Sequence, residues 1–209
     1  MKVLAVREAY ELLAADYDRA PNALTALEER ILVPLLPDLR GRTVADVAAG
    51  AGRWARRCAS AGARVAAIDI CYPMLRRGMI QADARRLPLR DAFADVAICA
   101  FALGYAPECF TELRRVVKPG GMILASDVHP QALRRGWKRS FRHHSGAIEI
   151  AHRAYALEDL RAPDLRLVCL LEPRLGEPER AIFEQAGCPE RFAEASREPA
   201  IFVAQWIRV

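Results

Sequence analysis

The sequence has no Cys-x-x-Cys pair, no internal repeat, no low-complexity segment and no apolar run approaching the length that spans a membrane. Each absence removes a class of protein. Cys58, Cys71, Cys99, Cys109, Cys169 and Cys188 have no companion histidines at zinc-ligand spacing, so they are expected as reduced core thiols and no metal site is expected. Repeat architectures and disordered chains are excluded on the same footing. After Met1 and Lys2 only four apolar residues precede Arg7 and Glu8, too few for a secretory core, which leads to the expectation of a cytoplasmic protein with no membrane partner.

What is present suits one well-buried core. A chain of 209 residues, 53% apolar and 27% charged, has the composition of a globular protein and is expected to form a single domain over 1–209. The net charge of +5 is concentrated in Arg134 to His144. Such a tract meets an anionic partner or, more commonly, forms a solvated face.

The first forty residues read as a helical cover. Val3, Val6, Tyr10, Leu13 and Tyr17 recur at steps of three or four, as do Leu24, Leu27, Ile31 and Leu35, with Pro21 and Asn22 between the two helices. Short apolar runs then alternate with helical stretches: Thr43 to Ala49, Arg64 to Ile70, Met79 to Asp83, Val96 to Phe101, Met122 to Val128, Leu165 to Leu171 and Ala200 to Val209. The pattern implies an α/β fold, a Rossmann-like seven-stranded, mostly parallel sheet with helices on both faces. Arg53 to Ser60, Cys109 to Val117 and Pro178 to Ala186 are expected helices, and Lys118, Pro119, Gly120 and Gly121 a turn into the fifth strand. Only Cys71 to Gly78 joins the second and third strands, leaving room for barely two helical turns.

The stretch VADVAAGAGRWA ends a strand in Gly50, Ala51 and Gly52 and opens a helix, so backbone N–H groups at a helix N-terminus face a cleft. Gly50, Gly52 and Ala55 also satisfy the dinucleotide fingerprint G-x-G-x-x-G/A, with Asp69 placed 17 residues beyond Gly52. Asp46 separates the two readings. A carboxylate at the tip of the first strand repels a pyrophosphate but attracts a ligand carrying ammonium and sulfonium charges, which favours S-adenosylmethionine (SAM) over NAD.

With these residues the chain resembles the class I SAM-dependent methyltransferases, in the broad type 11-like family that includes ubiquinone and menaquinone biosynthesis methyltransferases. The resemblance covers roughly Tyr10 to His129. In that family the first motif is an acid followed by x-G-x-G-x-G, here Asp46, Val47, Ala48, Ala49, Gly50, Ala51 and Gly52, with Ala48 in place of the first glycine. A residue with negative φ tolerates the added methyl. The resemblance implies that Asp69 accepts both ribose hydroxyls, that Ile70 and Met74 pack the adenine, and that Asp83 and the N–H of Ala84 meet the adenine edge. It also implies that Ala100, Phe101 and Tyr105 line the methionine moiety and the transfer path, and that Tyr17 and Asp18 close the N-terminal helix over SAM. The run ELRRVVKPGGMILASDVHP resembles the family's passage from a helix into the fifth strand.

The sulfonium methyl is already activated, so methyl transfer to a small-molecule acceptor at O, N, S or activated C needs mainly in-line positioning. Where a base helps, His129 after the fifth strand is the candidate, with Asp127 to orient it; the bland reading has His129 hydrogen-bonding the loop ahead of Pro130. Residues 130–161 stand where the family builds its substrate cover. If Arg134 to His144 is helical, Trp137 and Phe141 share one face of an amphipathic lid. The second insertion, Glu172 to Pro199, either shapes the pocket or makes a homodimer contact.

Three rivals stand beside this reading. An NAD-dependent oxidoreductase is disfavoured by Asp46, Asp83 and the Lys-Pro-Gly-Gly turn. A nucleic-acid methyltransferase is supported only by the basic tract, and the fourth strand has neither an Asn/Asp-Pro-Pro-aromatic motif nor a Pro-Cys nucleophile. A non-catalytic SAM-binding module is not distinguished by any motif.

Overall fold

The computed structural model describes residues 1–17, 21–153 and 155–209. In chain order the elements are β1 (Lys2–Leu4), α1 (Val6–Leu13), α2 (Ala23–Leu32), β2 (Thr43–Val47), α3 (Arg53–Ser60), β3 (Arg64–Asp69), β4 (Ile80–Gln81), β5 (Ala94–Ala100), α4 (Cys109–Val116), β6 (Val117–Val128), α5 (Pro130–Arg134), β7 (Ser140–His143), β8 (Gly146–Ile150), β9 (Leu165–Leu171), α6 (Glu177–Gln185), α7 (Glu190–Ala195) and β10 (Ile201–Arg208). Single 3₁₀ turns occupy Val33–Leu35, Tyr72–Met74 and Leu157–Leu160.

Seven strands form the main sheet in the order β4-β3-β2-β5-β6-β10-β9, parallel from β4 through β6. β10 runs antiparallel to both of its neighbours. The order reverses between β2 and β5, so the loops leaving these two strands diverge and open a crevice at their carboxyl ends.

Alternation along each strand divides the core between the two faces. Ala45, Val47, Ala97, Cys99, Ile123, Ala125, Phe202 and Trp206 pack under α4, through Phe110, Leu113 and Val116. Val44, Val96, Ile98, Leu124, Ile201 and Val203 pack under α2, α3 and α7, through Leu27, Leu32, Trp54, Cys58 and Phe192. A sheet sealed on both faces explains why its central strands read as continuous apolar runs.

Several expectations are corrected. Lys2–Leu4 is a strand rather than the start of a helix, because it pairs in parallel with β8, Lys2 opposite Ile148 and Leu4 opposite Ile150. No local period reveals a partner so distant in sequence. The third strand shrinks to Ile80–Gln81, and the connection before it holds only the turn at Tyr72–Met74. Lys118 to Gly121 do not interrupt β6; they bulge out of the ladder to β5, whose register steps from Ala94 opposite Val117 to Val96 opposite Met122.

The lid helix is also corrected. Helix α5 ends at Arg134, and Gly136 at φ 90° takes the left-handed position that closes a helix. Ser140–His143 then pairs antiparallel with Gly146–Ile150, and β1 completes a three-stranded sheet. Trp137 packs with the α2–α3 layer, whereas Phe141 packs with Leu4, Ala9, Ile148 and Ile150, so the two rings belong to different clusters.

Candidate functional site

The crevice at the switch point holds a cavity of about 320 Å³. Its walls include Tyr17, Ala48, Gly50, Asp69, Ile70, Met74, Asp83, Ala84, Ala100, Phe101 and Tyr105. The structure therefore brings together every expected cofactor residue except Asp46 and Gly52. Asp18 lies outside the described residues. Gly52 instead caps α3, accepting the N–H of Arg56 on its carbonyl at 2.9 Å.

The strand tips are fixed largely by backbone hydrogen bonds. Asp69, at the end of β3, accepts the Gly50 N–H on Oδ2 at 2.7 Å and the Cys71 N–H on Oδ1 at 2.8 Å. Burial pushes its carboxyl above the usual range, and these N–H donors oppose the shift. Gly50 has φ 56°, and a Cβ there would lie 3.5 Å from Met74 Cε and 3.7 Å from the Tyr17 hydroxyl, filling the mouth of the cavity. Ala48 departs from expectation: its φ is 56°, a left-handed conformation that costs an L-residue about 1 kcal/mol, rather than the negative φ that would make the methyl harmless.

Asp46 lies beneath this loop, fully buried, with Oδ2 unpartnered among the described residues. Burial pushes its carboxyl up to about 7. Arg53 Nη1 is likewise buried without a partner. On the same side Glu28 accepts from Arg53 Nη2 at 2.6 Å, Trp54 Nε1 at 3.1 Å and Ser126 Oγ at 2.9 Å, fastening α2 to α3 and β6. The sequence reading missed Glu28; an acid between Leu27 and Leu32 on a helix otherwise facing the core was the available signal.

Asp83 is held by Arg85, whose guanidinium lies 2.6 Å away and keeps the carboxyl below its usual range. A ligand at this edge shares Asp83 with Arg85.

The cover wall is made of side chains. Tyr10 and Tyr105 meet hydroxyl to hydroxyl at 3.1 Å, and the Tyr17 ring lies tilted with its centroid 6.0 Å from that of Tyr10. Burial raises Tyr10 well above the ordinary phenol range, and Tyr105 and Tyr17 add to the shift. Arg139 lies 4.3 Å over the Tyr105 ring, donates to the Phe101 carbonyl at 3.0 Å and pairs with buried Asp127. Tyr10, Ala5, Val6, Arg7, Cys71 and Arg85 line the cavity without having been singled out from sequence. Tyr10 and Arg85 stood beside quoted motifs, but the others carried no local signal.

The proposed orientation of His129 by Asp127 is not found. Asp127 accepts from Gly104 N at 2.7 Å and pairs with Arg139, while His129 caps α5 by accepting from Gln131 N on Nδ1 and meets Glu172 through Nε2 at 2.7 Å. Neither lines the cavity. The two side chains leave the end of β6 toward different loops, because His129 belongs to the helix cap and not to the strand's alternation. The basic tract is also dispersed: Arg135 pairs with Glu198, Lys138 with Glu149 and Arg139 with Asp127.

The architecture and the chain's relatives agree. Residues 45–125 match the family model described as a methyltransferase domain. This segment is a methyltransferase domain. The chain is 29% identical over 149 residues to a malonyl-[acyl-carrier protein] O-methyltransferase of Pectobacterium atrosepticum, covering 65% of this chain and 58% of that one. It is 32% identical over 137 residues to a demethylmenaquinone methyltransferase of Renibacterium salmoninarum, covering 58% of each. The chain thus spans less than two thirds of these curated relatives. A SAM-dependent methyltransferase structure from Mesorhizobium loti superposes with a TM-score of 0.66 at 19% identity, covering 90% of this chain and 100% of that one, which shows the shared fold. Among the described residues no helix is long and apolar enough to cross a membrane, and no cluster of three metal-ligating side chains occurs.

Proposed function

We propose that the protein transfers the methyl group of SAM to a small-molecule acceptor. The observation that carries this reading is Asp69, whose carboxylate is oriented at the cavity wall by the backbone N–H groups of Gly50 and Cys71, a pair of acceptor oxygens that suits a vicinal diol. Gly50, bare of a side chain, leaves room beside it. Ile70 and Met74 supply an apolar wall for the adenine, and Asp83 with the Ala84 N–H its polar edge. Buried Asp46, without a partner for Oδ2, supplies negative potential under the cationic end of the ligand. Tyr17 closes over Gly50, and Ala100, Phe101 and Tyr105 bound the transfer path.

When bound, SAM supplies an electrophilic methyl on a cationic sulfur. The chain's part is to hold an acceptor atom in line and to exclude water. Among the described residues no histidine lines the cavity, and burial favours the protonated Tyr10 phenol and Cys71 thiol. These features favour an acceptor that is already unprotonated at neutral pH, such as a carboxylate, a weakly basic aromatic amine or an acidic thiol present as its thiolate. An oxygen acceptor is in keeping with the name of the malonyl-[acyl-carrier protein] O-methyltransferase relative. On this reading His129 and Asp127 hold loops rather than move a proton.

Calorimetric titration with SAM, S-adenosylhomocysteine and NAD tests the proposal. Binding of the two adenosyl ligands alone supports it, and binding of NAD without SAM overturns it.

A further inference from the structure

Beneath the glycine loop the fold buries two acids around one cation. Asp46 stands near the end of β2 and Glu28 comes from α2, and neither side chain reaches solvent. Arg53, at the start of α3, acts on both: it donates to Glu28 at 2.6 Å, and its charge favours the ionised form of Asp46. Yet among the described residues no ion pair joins Arg53 to Asp46, and one buried atom on each, Arg53 Nη1 and Asp46 Oδ2, has no hydrogen-bond partner. The other arginines of α3 are engaged elsewhere as well. Arg56 donates to the Ala51 carbonyl at 2.6 Å, and Arg57 pairs with Glu29.

We propose that Glu28 is a positioning residue for cofactor binding: by holding Arg53 it keeps that cation from neutralising Asp46, and so reserves the Asp46 charge for the cationic end of SAM. The inference rests on the cofactor proposed above. Glu28 also receives Trp54 Nε1 at 3.1 Å and Ser126 Oγ at 2.9 Å, and a carboxyl group ringed by donors is held in its acceptor-only, ionised form. With all three groups ionised, the buried layer carries a net charge of minus one. Because Arg53 is bound to Glu28, the surplus falls on Asp46. Without Glu28, a guanidinium that already feels Asp46 would pair with it, since a buried charge left alone is costly and opposite charges attract strongly away from water. No net charge would then remain under the loop.

Calorimetry with SAM and S-adenosylhomocysteine at about pH 8, where Asp46 is charged, tests this, because the two ligands differ by the sulfonium charge. Glu28→Gln keeps an acceptor oxygen for Trp54 and Ser126 but turns an amide NH2 toward Arg53, which releases the cation. SAM affinity should fall about tenfold, the scale of one partly screened unit charge, and S-adenosylhomocysteine affinity by less than about threefold. Adding Arg53→Met removes the freed cation, so the double variant should return the ratio of the two affinities to within about threefold of the wild type. Arg53→Met alone leaves Glu28 in place and should hold that ratio at or above the wild-type value. Equal losses for both ligands in Glu28→Gln, an unmoved ratio, or a double variant no better than the single one overturns the proposal, as does a lowered ratio in Arg53→Met. A wild type that binds neither adenosyl ligand overturns the proposed function, and this inference with it; a wild type that binds both, with variants that fail as described, overturns this inference alone.

Discussion

The two walls of the cavity are built by different means. The strand-tip wall, from Ala48 to Gly50, Asp69 to Met74 and Ala82 to Arg85, comes from the ends of three strands, and at its centre Asp69 bonds to backbone N–H groups. The cover wall, Ala5 to Tyr10 with Tyr105, is joined by side chains from three distant segments: the Tyr10–Tyr105 hydroxyl pair, and Arg139 lodged between Tyr105 and Asp127. A wall fixed by the backbone tolerates exchange of neighbouring side chains. A wall sewn by a few buried polar side chains rests on each of them.

The sharpest way to break this contrast is Arg139→Ala, which leaves Asp127 buried without its cation. It should cost about 3–5 kcal/mol of stability by denaturant unfolding, with much of that recovered in Arg139→Lys. An unchanged midpoint would mean that the cover does not depend on this pair. On the other wall Asp69→Ala should weaken SAM binding roughly a hundredfold by calorimetry, since two charge-assisted hydrogen bonds are lost.

Acidity separates folding from binding at Asp46. Its carboxyl is held up to about 7, above the unfolded value, so the native state keeps this proton more tightly. The stability it lends is full below about pH 4, declines as pH rises between about 4 and 7, and is gone above that window. SAM binding runs the other way, strengthening as pH rises through about 7 and the carboxylate becomes charged. Asp46→Asn should flatten both profiles.

Two smaller effects sharpen the picture. His129→Asn retains a helix cap and should change turnover by less than about tenfold, against the 10²–10⁴ expected for loss of a general base. Ala48→Gly relieves a left-handed alanine but frees the unfolded chain, so thermal unfolding should register a shift worth under about 1 kcal/mol, with SAM affinity retained.

The order and types of the central elements were legible because each is a local statement. Arg53–Ser60 and Leu165–Leu171 lie where periodicity put them, and Gly50, Asp69 and Asp83 each stand at a strand tip. Ala48 was read in the right place with the wrong backbone, since nothing in a sequence reports the sign of φ for an alanine.

By itself the sequence determined the sheet, the glycine loop and the acids beside it, because apolar period, turn chemistry and short spacings are encoded within a dozen residues. Only the tertiary structure decided that Lys2–Leu4 is a strand, that the basic tract ends in a hairpin strand rather than a helix, that Asp127 serves Arg139 rather than His129, and that Tyr10 meets Tyr105. Those outcomes depend on partners up to 146 residues away along the chain, as Lys2 is from Ile148, and on buried charges finding each other. The free energy that selects them arises only when the segments pack.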